Sequence, residues 1–356
     1  MAAALVDGAL LPGDVVVQEG VLAGLGLGRG GRGIAAPGLV DLQVNGFAGV
    51  DFLRADHAAY RRAGDALLAA GVTAFQPTFV SAPEADLVAA LRRVPTEGCG
   101  PRVIGAHLEG PFLSPLRLGV HDAASRRAPD LGLVRRLLEA GPVSAMTLAP
   151  ELPGALELVD ELVARGLIVS CGHTDATAAQ AHAAFDRGAR TVTHLFNAMR
   201  PSTPRDPGIA MAALAREDVT VQLIVDGHHL AGETVLVAWR AARGRFALVS
   251  DAVAAAGMGD GRFTLGGTQV TAEDGAVRRA DGTLAGSAAS IIDGVRNLHA
   301  LGAPLEDALA AASSVPARIA GRTDLGRLAV GAPADVVVLD DRLEVQRVLV
   351  AGVALA

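Results

Sequence analysis

Residues 103–122 read VIGAHLEGPFLSPLRLGVHD, and the change of character inside that stretch decides the architecture. Four apolar residues, Val103 to Ala106, give way to His107 and Glu109, and Gly110-Pro111 then closes the run. Short apolar runs ended by turn formers read as strands buried on both faces. A carboxylate at the end of such a strand is costly unless it is paired, protonated or bound to a metal. Glu109 is therefore expected at the mouth of a site, with a loop behind it carrying the chain on to His121.

The same unit recurs on both sides. From Pro37 onward an apolar run ends in a polar residue, and a loop and an Ala/Leu-rich helical stretch follow. The runs are Leu39 to Val44, Thr73 to Val80, Val103 to Leu108, Ser144 to Leu148, Leu167 to Cys171, Thr191 to Leu195, Val219 to Val225 and Phe246 to Val249. Strands alternating with helices imply a parallel sheet, and eight such units suggest a TIM-like (β/α)8 barrel of the α/β class over residues 37–322. Residues 260–285 have hairpin character and read as an insertion after the eighth strand. Leu305 to Ala320 reads as one long helix. The two chain ends, 1–36 and 323–356, are short-stranded and turn-rich, and are expected to pair as a small β-sandwich domain.

Composition narrows the class of function. The chain is 51% hydrophobic but only 3% aromatic, so Ala, Val and Leu build its core. Its net charge of −7 argues against a nucleic-acid partner. Two cysteines, Cys99 and Cys171, exclude a disulfide framework or a cysteine-based zinc site. The first 20 residues have no basic segment before Asp7 and do not read as a signal peptide. No run approaches the ~18 uncharged apolar residues of a membrane span. A cytoplasmic protein is expected. Gly26 to Gly31 matches GxGxxG, but a strand rather than a helix follows, so it reads as a turn and not a dinucleotide site.

In a barrel, functional side chains project from the carboxyl ends of the strands. Those ends carry Asp41, Gln43 and Asn45; His107 and Glu109; His173; His194 and Asn197; Asp226, His228 and His229; and Asp251. Glu109, His173 and His194 form a two-histidine, one-carboxylate set that suits catalytic zinc with one open position; open-site iron(II) is also compatible. All 31 basic residues are Arg, so a bridging carboxylated Lys is excluded, and strand one offers amides where paired histidines would stand. One metal ion is expected. Asp251 reads either as a helix N-cap or as a general base for water at the metal, then general acid for the leaving group. Arg205, in the loop NAMRPSTPRDPGI, is either a solvated charge or a phosphate ligand.

These residues together resemble the N-acetylglucosamine-6-phosphate deacetylases of the amidohydrolase superfamily. The matching stretches are PGLVDLQVNG (37–46), HLEGPF (107–112), GVHD (119–122), GHTDAT (172–177), THLFNAM (193–199), DGHH (226–229) and LVSDA (248–252). The resemblance implies metal-dependent hydrolysis of the acetamide of N-acetyl-D-glucosamine 6-phosphate, in amino-sugar catabolism and recycling. It gives Glu109, His173 and His194 as ligands of one divalent ion, zinc first, with iron(II), cobalt or manganese as alternatives. Asp251 becomes the catalytic acid/base, and His121 the group that polarises the acetamide carbonyl. Asn197, Ala198 and the backbone of Leu284, Ala285 and Gly286 bind substrate, and Arg205 and His229 hold the sugar phosphate across a homodimer interface. His228 and the Pro-rich 201–207 loop depart from the common pattern. N-acetylgalactosamine 6-phosphate is the alternative substrate, and a cyclic amide or ureide the alternative class; Gln43 and Asn45 count against the latter.

Overall fold

A computed structural model describes residues 3–27 and 31–355. Eight parallel strands form the barrel: β1 Leu39–Val44, β2 Val72–Val80, β3 Ala106–Glu109, β4 Val143–Leu148, β5 Ile168–Cys171, β6 Thr191–Val192, β7 Thr220–Leu223 and β8 Phe246–Leu248. Each pairs with the next in chain order. β1 and β2 are buried along their whole length, as expected of parallel strands covered by helices outside and side chains within. The seam between β8 and β1 is closed by single bonds rather than a ladder: Asp251 N to the Gln43 carbonyl at 3.0 Å, and Asn45 N to the Ala252 carbonyl at 2.7 Å.

Two elements differ from the sequence expectation. The run from Val103 is interrupted, because Gly105 adopts φ +120° and separates Arg102–Val103 from β3. A side chain there would also meet Ser144 Oγ at 2.6 Å. Leu305 to Ala320 forms two helices, Leu305–Ala311 and Ser314–Ile319. Pro316 has no N–H to donate to the carbonyl four residues back. That carbonyl, of Ala312, instead accepts Val40 N of β1 at 2.8 Å.

Both chain ends contribute to one mixed sheet, in the order Ala9–Pro12, Ala3–Val6, Ile34–Pro37, Val336–Leu339, Val345–Val350, Val353–Ala354. A hairpin, Asp14–Gln18 with Val21–Leu27, contributes Leu22 to the small core shared with Ala4, Ala35, Ala334 and Val336. Within the GxGxxG segment, residues 28–30 lie outside the described residues; a strand, Ile34–Pro37, follows it. Arg102 ties this layer to the barrel through two 3.0 Å bonds to the buried Asp335. Residues 261–287 form a four-stranded antiparallel sheet with its own apolar core, and its last strand, Leu284–Ser287, returns to the end of β8. Ser287 N donates to the Asp251 carbonyl at 2.9 Å. Cys99 and Cys171 are buried free thiols. Among the described residues, no helix is long and apolar enough to cross a membrane.

Candidate active site

The polar strand ends converge on one cavity of about 300 Å³, lined by Glu109, His121, His173, His194, Asn197, Ala198, His229, Asp251, Leu284 and Gly286 among others. The chain turns sharply to aim several of these groups. His173, His194, Ala198 and Asp251 all lie at positive φ, between +31° and +50°. For residues with a side chain that conformation costs ~1–2 kcal/mol each, and such strain concentrates at functional sites. It also ends β5, β6 and β8 just before their polar residues.

Among the described residues, Glu109, His173 and His194 form a buried group able to hold a metal ion. His173 Nε2 lies 3.1 Å and His194 Nε2 3.0 Å from the same Glu109 oxygen, with 3.0 Å between the two nitrogens. His173 Nδ1 is 2.9 Å from the Arg117 carbonyl, which can only accept. The ring proton therefore sits on Nδ1, and in a neutral ring Nε2 presents a lone pair. Lone pairs of nitrogen and carboxylate oxygen facing one another at ~3 Å repel unless protons or a cation lie between them. Atoms bound at ~2.0–2.1 Å to a tetrahedral zinc stand about 3.3 Å apart, so the cluster is nearly preformed for such an ion. Burial opposes the charge of Glu109, but when protons rather than a cation lie between them, hydrogen bonds from His173 and His194 outweigh burial and hold the carboxyl well below its usual range.

His121 faces this cluster. Its Nδ1 accepts Ser81 N–H at 3.1 Å, and a main-chain N–H can only donate. Burial, and then the neighbouring His173, push its pKa down to about 3, so the ring is neutral. Its proton therefore sits on Nε2, buried and without a hydrogen-bond partner among the described residues, Glu109 Oε2 standing 3.8 Å away. That is a hydrogen-bond donor held ready for a ligand.

Asp251 stands opposite. Its Oδ1 accepts Asn45 Nδ2 at 2.6 Å and Gln43 Nε2 at 3.0 Å, and Gln43 Nε2 also reaches Glu109 Oε1 at 3.2 Å. Gln43 of β1 thus bridges the two carboxylates, and Asn45, just past the strand's end, holds Asp251, a use their bare presence in the sequence did not reveal. Burial, and then the charge of Glu109, push the Asp251 pKa up. Beneath them Asp41, raised to about 6 by burial, accepts Ser250 N at 3.2 Å.

Not every expected residue joins the cavity. The Ala285 side chain is buried in the core of the 261–287 sheet, because alternation along its strand turns it away from the cavity, so only its backbone, between the cavity-lining Leu284 and Gly286, is placed for the expected contact. Arg205 is exposed on the Pro-rich loop and does not line its own chain's cavity. His107 points into the barrel below Glu109, bonded to Thr78 and Thr147. Sequence reasoning left Asp226 without a role, and it proves to be an organiser. Its carboxylate accepts His229 Nδ1 at 2.8 Å, Ser287 Oγ at 2.9 Å and the main-chain N–H of both His228 and His229. Burial opposes its charge, but His229 holds its carboxyl well below the usual range. The signal that could have found it was its own position at the end of a buried strand.

A (β/α)8 barrel with a carboxylate–histidine cluster at its C-terminal mouth defines the class: a hydrolase of the metal-dependent barrel type. The amidohydrolase family matches residues 34–355. N-acetylglucosamine-6-phosphate deacetylase of Rattus norvegicus is 40% identical over 344 residues, covering 91% of this chain and 83% of the relative. N-acetylgalactosamine-6-phosphate deacetylase of Escherichia coli O157:H7 is 36% identical over 332 residues, covering 90% and 87%. The solved structure of a variant N-acetyl-D-glucosamine-6-phosphate deacetylase from Mycobacterium smegmatis, in complex with N-acetyl-D-glucosamine-6-phosphate, superimposes with a TM-score of 0.95 at 36% identity, covering 100% of this chain and 98% of that one. The chain belongs to the amidohydrolase family and, within it, to the N-acetylglucosamine-6-phosphate deacetylases.

Proposed function

We propose that this chain hydrolyses the acetamide of N-acetyl-D-glucosamine 6-phosphate to D-glucosamine 6-phosphate and acetate. The observation that carries the mechanism is the pairing across one cavity of a free His121 Nε2–H and the Asp251 carboxylate, with the Glu109–His173–His194 cluster beside them. A divalent ion held by Glu109, His173 and His194 would supply Lewis acidity to water and to the acetyl oxygen. We take it to be a single zinc, since Gln43 and Asn45 occupy the strand end where further imidazoles would be needed.

A cation held by the cluster would offset the Glu109 charge that raises the Asp251 pKa and so leave Asp251 a carboxylate. Asp251 takes a proton from the attacking water, whose oxygen bonds to the acetyl carbon. His121 Nε2–H donates to the acetyl oxygen as it gains negative charge, the usual work of a preorganised donor. Asp251 then returns its proton to the sugar nitrogen as the C–N bond breaks. Asn45 and Gln43 hold Asp251 in line throughout. Asn197, Ala198 and the backbone from Leu284 to Gly286 bind the sugar, while His229 and Arg205 hold its phosphate.

The exposure of Arg205 outside its own cavity supports a homodimer in which the loop serves the neighbouring site. A charged sugar phosphate does not cross a bilayer unaided, which supports a cytoplasmic location. Acetate release, measured on both N-acetylhexosamine 6-phosphates and on unphosphorylated N-acetylglucosamine, tests the reading. It predicts the highest kcat/KM on the gluco phosphate. Preference for the galacto epimer would transfer the assignment to the activity named for the Escherichia coli relative.

A further inference from the structure

We infer that Asp175, outside the cavity, is a positioning residue that braces the metal ligand His173 and the Arg205 loop against a single carboxylate. This rests on the reading of His173 as a ligand and Arg205 as a phosphate group. One Asp175 oxygen, Oδ1, accepts Arg117 Nε at 2.8 Å and Nη2 at 2.6 Å. The carbonyl of that same Arg117 receives the Nδ1 proton of His173 at 2.9 Å, the bond that turns Nε2 toward Glu109. The other oxygen, Oδ2, accepts Arg200 Nη1 at 2.9 Å. Arg200 in turn grips Asp206 Oδ2 through Nε at 2.8 Å. Asp206 closes a tight turn with Thr203, bonded in both directions at 2.8 and 3.0 Å, and Arg205 sits inside that turn.

Asp175 is itself fixed. Its N–H donates to Glu151 Oε1 at 2.7 Å, and Thr174 Oγ1 donates to the other oxygen of the same carboxylate. The side chain is 16% exposed, against 29% for Arg117 and 31% for Arg200. Its bonds are therefore less screened than those of a surface pair. No single neighbour could replace it, because both oxygens are committed, each to a different arginine. The GHTDAT stretch thus carries a ligand in its second residue and the brace for that ligand in its fourth.

The two arms separate by mutation. Arg200→Ala releases the turn without touching Arg117: KM for the sugar phosphate rises about tenfold while kcat and zinc affinity stay at wild-type values. Asp175→Ala gives the same rise in KM and also weakens zinc by about tenfold, since supports behind a metal ligand typically carry that much affinity. Zinc affinity is read by competition with a chromogenic chelator, independently of turnover. Asp175→Asn, nearly isosteric, replaces Asp175→Ala if circular dichroism shows the latter unfolded. The brace is refuted if Arg205→Ala raises KM but Arg200→Ala does not, or if the Asp175 variants bind zinc as tightly as wild type. If Arg205→Ala leaves KM unchanged, the phosphate reading fails, and the zinc measurement alone decides the brace.

Discussion

Replacing Asp251 by Asn should destroy catalysis and at the same time stabilise the metal-free protein at neutral pH. The substitution is nearly isosteric, and the Asn oxygen can still accept from Asn45 Nδ2 and Gln43 Nε2, which meet Oδ1 at 2.6 and 3.0 Å. What disappears is an ionisable carboxyl facing Glu109. Burial and the Glu109 charge raise the Asp251 pKa well above the ordinary carboxylate range. A carboxyl whose folded pKa is raised holds its proton more tightly in the native state than in the unfolded chain. Stability is therefore lost as pH climbs from the unfolded pKa to the folded one, at about 1.4 kcal/mol for each pH unit between them.

The Asn variant has no such proton to lose. Its metal-free form should melt a few degrees higher than wild type near pH 7, with the difference vanishing toward pH 4. Its kcat should fall by about 10²–10⁴, the usual worth of positioned proton transfer, or roughly 3–5 kcal/mol of barrier. Thermal melts of chelated protein across pH, paired with acetate release by the zinc-loaded enzyme, check both halves. A lower melting temperature at pH 7 would refute the electrostatic argument, and a kcat within a few-fold of wild type would refute the role of Asp251.

Three further perturbations probe the rest of the site. His121→Phe removes the Nε2–H donor and should lower kcat by about 10²–10³ with little change in KM; a kcat near wild type would mean the acetyl oxygen is held elsewhere. Asp226→Ala strands the imidazole of His229 and the hydroxyl of Ser287, so KM for the sugar phosphate should rise about tenfold in steady-state assays, whereas a pure kcat effect would contradict the positioning of His229. Gly266→Ala should cost roughly 1–3 kcal/mol in denaturant melts, because its φ is +58° and the added carbon would lie 2.4 Å from Val80 Cγ2; unchanged stability would show that the Leu265–Thr268 turn is free to move.

Much of the site is legible without the fold, and the reason is local. A carboxylate or imidazole closing an apolar run declares itself within six or seven residues, which is why Glu109, His173, His194 and Asp251 stand out. Groups whose meaning lies in a distant partner do not declare themselves. Gln43 and Asn45 read as missing histidines, yet they bridge Asp251, more than 200 residues away, and Gln43 also reaches Glu109. Asp226 and Asp175 look like ordinary loop acids until their partners are brought beside them.

The strand–helix alternation and the three cluster residues are legible in the chain alone, because both are short-range patterns, and eight such units favour a barrel over an open parallel sheet. The rest depends on contacts made in the folded chain. Positive φ at His173, His194, Ala198 and Asp251 is strain that neighbouring packing imposes. The tautomers of His121 and His173 are set by an N–H and a carbonyl from other segments. The burial of the Ala285 side chain in the sheet core and the break before Ser314 depend on strand orientation and on Val40 taking the Ala312 carbonyl. Each is a contact between residues far apart in the chain, and such a contact acquires its energy only when folding brings the two together.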